Sequence, residues 1–96
     1  MSRKVPKVIY RKLGKEKCWG LAEHDPRFPR IEIDPRLGAK RALETLCHEQ
    51  LHISLGLEVS ESKIDRIGKE ICETLWRQNY RQVLLQKHST PVRISK

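Results

Sequence analysis

Short apolar runs, with a period-two alternation at 30–34, mark the first third of the chain, and apolar positions recur with a period near 3.6 from about 39 to 75. Such a pattern predicts strands followed by helices. Val8-Ile9-Tyr10 open a short strand over 8–13, and Gly14-Lys15 supply a turn. Cys18-Trp19-Gly20-Leu21-Ala22 form a second strand. The segment 24–29 carries Pro26 and Pro29, and prolines so close together break regular pairing, so it is a loop. Arg30-Ile31-Glu32-Ile33-Asp34 alternates polar and apolar as a half-buried strand does, and Pro35 ends it. Three short strands with close connections predict an antiparallel β-meander over about 8–34.

From Gly38 onward the spacing is helical. Ala39, Ala42, Leu43, Leu46, Cys47, Leu51 and Leu55 cover a broad arc of a helix over 39–55, which predicts burial over much of its circumference. Gly56 is placed to stop it. Ser60 is placed to cap a second helix, in which Ile64, Ile67, Ile71 and Leu75 recur at steps of three and four. That helix is expected over 61–85. Residues 87–96 are basic, contain Pro91 and show no periodicity, so they are expected to form a flexible tail. The fold class expected is α+β, a meander followed by two helices in a single domain of 96 residues.

Charge changes this picture toward partners. Twenty Lys and Arg against twelve Asp and Glu give a net charge of +8, which suits nucleic acid, nucleoprotein or another acidic surface. Two Trp, two Tyr and one Phe leave little for a base-stacking platform. Cys18, Cys47 and Cys72 are odd in number and lack CxxC spacing, which points to a reduced setting. The basic start has no long apolar run, so no signal peptide, no transmembrane helix and no membrane partner are expected, and the location expected is cytoplasmic.

Candidate chemistry sits mid-helix. Residues 48–52 read His48-Glu49-Gln50-Leu51-His52, an HExxH run. Histidines four apart project from one face of a helix and can share one zinc ion, with the glutamate between them placed to take a proton from water. A catalytic zinc needs a third protein ligand. Position 55 is Leu55 and position 58 is Glu58, so the HExxHxxGxxH continuation is absent. The other histidines, His24 and His88, lie in a proline-rich loop and in the tail. Glu58 would need a tight reversal to reach the metal. Glu61 and Asp65 flank the apolar stripe of the second helix, and Gly68 and Cys72 continue their line as small residues that let the helices approach. Glu61 is therefore the expected third ligand, and Asp65 the expected acceptor for the free ring N–H of a ligand histidine.

The run His48-Glu49-xx-His52 followed by Glu61-xxx-Asp65 resembles the gluzincin arrangement of thermolysin-type zinc peptidases. The order of short strands, HExxH helix and glutamate helix also resembles minimal gluzincins and small phage- and prophage-encoded metallopeptidase-like proteins. The resemblance spans about residues 8–80, with a much shorter spacer from His52 to Glu61 than in thermolysin. It implies peptide or protein substrates, Zn2+ as cofactor and Glu49 as general base. By the same resemblance, the strand 30–34 lines the cleft and pairs with extended substrate through Ile31 and Ile33. A phage origin implies a place in the host cytoplasm or on the virion. For the oxyanion-stabilising group, Tyr80, His24 and several arginines are candidates. The alternative expectation is a basic nucleic-acid- or protein-binding phage or structural protein that keeps a zincin-like fold without turnover.

Overall fold

The computed structural model describes residues 5–14 and 18–83. The tail 87–96, His88, Lys15 of the expected first turn and the expected helical residues 84 and 85 lie outside the described residues. The architecture is α+β: β1 (Lys7–Tyr10), β2 (Gly20–Glu23), β3 (Arg30–Ile33), α1 (Ala39–Leu55) and α2 (Glu61–Arg77). Among the described residues, no helix is long and apolar enough to cross a membrane.

The three strands do not form the expected antiparallel meander. Their order is β1-β3-β2, with β1 parallel to β3 and β2 antiparallel to it. The reason lies in the connection between β1 and β2. Leu13 in that connection is fully buried, and its N–H donates to Asp34 Oδ2 at 3.0 Å. Burying Leu13 carries the chain across the end of β3 instead of reversing it beside β1. The Asp34 N–H donates to the Trp19 carbonyl at 2.9 Å and ties the far end of the same connection to β3. β3 therefore takes the centre, with Ile31, Glu32, Ile33 and Asp34 all buried. Glu32 tolerates this because Arg11 and Arg30 meet its carboxylate at 2.8 and 3.1 Å.

Asp34 is a second buried carboxylate, and it organises the turn into α1. It accepts from the Arg36 N–H at 3.0 Å and from the Arg36 guanidinium at 2.8 and 2.6 Å. That guanidinium, helped by the Leu13 and Arg36 backbone N–H groups and opposed by burial, holds the Asp34 carboxyl far below its ordinary value of 3.8. A carboxylate depressed in the folded state contributes stability that is present above the unfolded pKa and is lost as pH falls below it. Acid titration of the unfolding midpoint is thus expected to show stability falling below about pH 4. Asp34→Asn is expected to flatten that slope and lower the midpoint at neutral pH. An unchanged acid limb in the variant would place the acid sensitivity elsewhere.

The helix boundaries follow local chemistry. α1 ends at Gly56, whose φ of 78° suits glycine and whose N–H bonds back to the His52 carbonyl at 3.0 Å. Ser60 caps α2 by accepting from the Lys63 N–H at 3.2 Å. α2 closes at Arg77, short of the expected 85. Asn79 adopts a φ of 67°, and Tyr80 donates its N–H back to the Leu75 carbonyl at 3.0 Å. That reversal uses the carbonyl which a longer helix would have paired with Asn79.

The side of α2 that is buried is also narrower than its apolar stripe. Ile64, Gly68 and Cys72 are buried, whereas Ile71 is exposed. The line of small residues is the contact line against α1. An added Cβ on Gly68 would stand 3.4 Å from the Cα and N of His48, so the two helices nearly touch at that histidine.

Candidate metal centre

α1 supplies His48 and His52 from adjacent turns of one face, with ring centroids 4.9 Å apart and Nε2 atoms 3.2 Å apart. The turn 56–60 reverses the chain, and the Ser60 cap starts α2 so that its first residue is Glu61. Glu61 then meets both rings. Its Oε2 lies 2.7 Å from His48 Nε2, and its Oε1 lies 2.9 Å from His52 Nε2. The three donor groups all lie within 4.8 Å of one another, which makes them a candidate set for one metal ion. The imidazoles are largely buried and the Glu61 side chain is 69% exposed, so the centre is backed by protein and opens toward solvent on the Glu61 side.

The geometry can be tested against zinc. Four ligands at about 2.0–2.1 Å in a tetrahedron stand about 3.3 Å from one another. The Nε2–Nε2 separation of 3.2 Å matches that edge. The two oxygen–nitrogen separations, 2.7 and 2.9 Å, are shorter and are hydrogen-bond distances.

Asp65, one turn beyond Glu61, has Oδ1 3.6 Å from His48 Nδ1, within electrostatic reach and just beyond a hydrogen bond. Lys69 holds the other oxygen of Asp65 at 3.1 Å. When the His48 proton sits on Nδ1 toward Asp65, Nε2 presents a lone pair to a Glu61 oxygen. With the proton on Nε2 instead, that nitrogen donates to the Glu61 oxygen at 2.7 Å.

Glu49 lies on the sheet side of α1. Gly20 of β2 packs against it so closely that an added Cβ would stand 2.5 Å from Thr45 Cγ2 and 3.2 Å from both Cγ and Oε2 of Glu49. Burial pushes the Glu49 carboxyl up from its ordinary value. The His48 and His52 imidazoles pull it down, Glu61 pushes it up again, and His24 pulls it down. His24 follows β2 directly, and its ring stands 6.4 Å from that of His52, nearly perpendicular to it. It does not belong to the compact donor set.

The structure therefore brings together His48, Glu49, His52, Glu61, Asp65 and His24. It does not bring Ile31 and Ile33 to the cleft. Both are core residues, 0% and 1% exposed. Their strand is bonded to β1 on one side and β2 on the other, so it has no free edge with which to pair with substrate. The edge strand nearest Glu49 is β2. Tyr80 lines a separate cavity of about 710 Å3 with Trp76, Tyr10 and Leu46, and none of the three donors lines it. Sequence reasoning missed Gly20. The available signal was a glycine inside a strand pattern, which marks a close backbone approach. No protein-family profile, curated protein or solved structure matches the chain.

Proposed function

We propose that this protein is a minimal gluzincin-type zinc peptidase, with His48, His52 and Glu61 as metal ligands and Glu49 as general base. The observation that carries the reading is the compact two-histidine, one-glutamate donor set with a half-buried carboxylate on the adjacent position of α1. Nitrogen and carboxylate donors of this kind suit zinc, and three protein ligands leave one position open for chemistry. Asp65 supports the reading from behind. Its charge favours the His48 tautomer that keeps Nε2 free to ligate.

Zinc held by His48, His52 and Glu61 would supply an acidified water and would polarise a scissile carbonyl. Glu49 takes the water proton and passes it to the leaving amine. β2 is an edge strand among the described residues and lies beside Glu49, so its outer edge is the place for an extended peptide to pair. Gly20 keeps that strand close to α1 and so keeps the peptide backbone close to the base.

Metal analysis of the purified chain equilibrated with zinc, followed by digestion of a mixed peptide library, tests the proposal. One zinc per chain and cleavage products that vanish with a chelator are expected. A folded, zinc-loaded protein that cleaves no peptide or protein would sink it. The net charge of +8 favours a second reading, a basic nucleic-acid- or protein-binding protein without turnover. Salt-sensitive DNA or RNA binding in the absence of any peptide cleavage would select that one.

A further inference from the structure

We infer that His24 is the residue that stabilises the oxyanion, donating a ring N–H hydrogen bond to the tetrahedral oxygen formed at the His48–His52–Glu61 centre. The inference rests on the peptidase reading and adds a catalytic residue to it. Glu61 reaches the histidines from α2, whereas His24 reaches them from the end of β2, the strand packed on Glu49. The ring spacing of 6.4 Å to His52 is too wide for a shared ligand role in the compact donor set. It leaves room for a substrate oxygen at the roughly 2.7–3.1 Å that an oxyanion donor requires.

The loop that follows His24 is ordered by its own turn hydrogen bonds. Asp25 Oδ1 accepts from the Arg27 N–H at 2.8 Å, and the Asp25 carbonyl accepts from the Phe28 N–H at 3.2 Å. Pro26 and Pro29 restrict the same loop. Several competing donors are engaged elsewhere. Tyr80 lines the distant cavity, Arg11 and Arg30 hold Glu32, and Arg36 holds Asp34.

The step balances without another reactant. Water adds through oxygen to the peptide carbonyl carbon, the carbonyl π pair moves onto oxygen, and Glu49 takes the proton released. His24 donates a hydrogen bond to the new oxyanion and keeps its proton. Collapse re-forms the carbonyl and breaks the C–N bond as Glu49 returns the proton to the amine.

The test uses the zinc-loaded full chain, His24→Ala and His24→Gln. Three readouts are needed: zinc content, steady-state kinetics on a cleaved peptide, and calorimetric affinity for a phosphinic peptide that carries a tetrahedral anion. His24→Ala is expected to keep its zinc and to lose about 10²–10³-fold in kcat, with KM changed far less. Phosphinic peptide affinity should fall with kcat, while binding of the planar peptide, measured in a Glu49→Gln background, should hold. His24→Gln, which retains an N–H donor, should recover part of the loss. Loss of zinc in His24→Ala, an equal loss for planar and tetrahedral ligands, or unchanged kcat overturns the assignment. A wild type that holds zinc yet neither cleaves peptides nor binds the phosphinic peptide overturns the peptidase reading itself, and His24 falls with it.

Discussion

Glu49→Gln is expected to lower peptide cleavage by about 10²–10⁴-fold while the protein stays folded and zinc-loaded. Glutamine keeps the volume of glutamate and can fill the same space against Gly20, so packing is preserved. It has no basic oxygen to accept a proton at neutral pH, so the water is no longer activated. Burial raises the cost of a charge at this position, and the flanking imidazoles offset that cost. The amide should therefore be tolerated at least as well as the carboxylate, and the unfolding midpoint should not fall. Glu49→Asp separates charge from reach. It retains the carboxylate and withdraws it by one methylene, and a loss of similar size is expected if proton transfer needs hydrogen-bond distance. Wild-type rates in Glu49→Gln, with zinc retained, would remove Glu49 from the reaction.

Glu61→Ala is expected to weaken zinc binding far more than Asp65→Ala does. Glu61 contacts both histidines at 2.7 and 2.9 Å, so under the proposed assignment its removal takes away a ligand. Asp65 stands 3.6 Å from His48 Nδ1, and in the proposed centre it would orient the ring without ligating, a role whose loss costs about 10–100-fold in metal affinity. Zinc titration against a competing chelator ranks the two. The Glu61 side chain is 69% exposed, so its truncation should leave the apo fold nearly as stable as before. Equal zinc affinities for Glu61→Ala and wild type would show that the third ligand lies elsewhere.

Much of this arrangement was legible along the chain because it depends on neighbours in sequence. The histidine pair follows from i,i+4 geometry. Gly56 and Ser60 mark the ends of α1 and α2 through a positive φ and a side-chain cap. The Glu61–Asp65–Gly68–Cys72 line reads as a contact face from spacing alone, and Gly68 and Cys72 are buried at the helix interface. Tyr80 and Val83 beyond Arg77 extend the apolar spacing past the end of α2. Asn79 in a left-handed conformation ended it through a local backbone choice that periodicity does not register.

The sheet misled for a different reason. Arg30–Ile33 alternates as a half-buried strand would, yet β3 is central and buried along its length after Arg30. Alternation reports that a strand has two faces, and it is silent on whether the strand's edges are paired. The Arg11–Glu32–Arg30 cluster hid the difference, because it lets a charged residue sit in a buried strand.

By itself, the sequence determined two capped helices, a pair of histidines on one helical face, and a glutamate delivered at the start of the next helix. Each of these is set by interactions spanning four residues or fewer, so the local code is sufficient. Only the tertiary structure decided that β3 lies between β1 and β2, that Glu61 closes on both histidines, and that His24 stands beside His52. Those outcomes rest on contacts such as Leu13 to Asp34, 21 residues apart, and His48 to Glu61, 13 apart. Packing of the whole domain selects such pairings, because burying Leu13 and bringing Gly68 against His48 leave few other ways to fill the core.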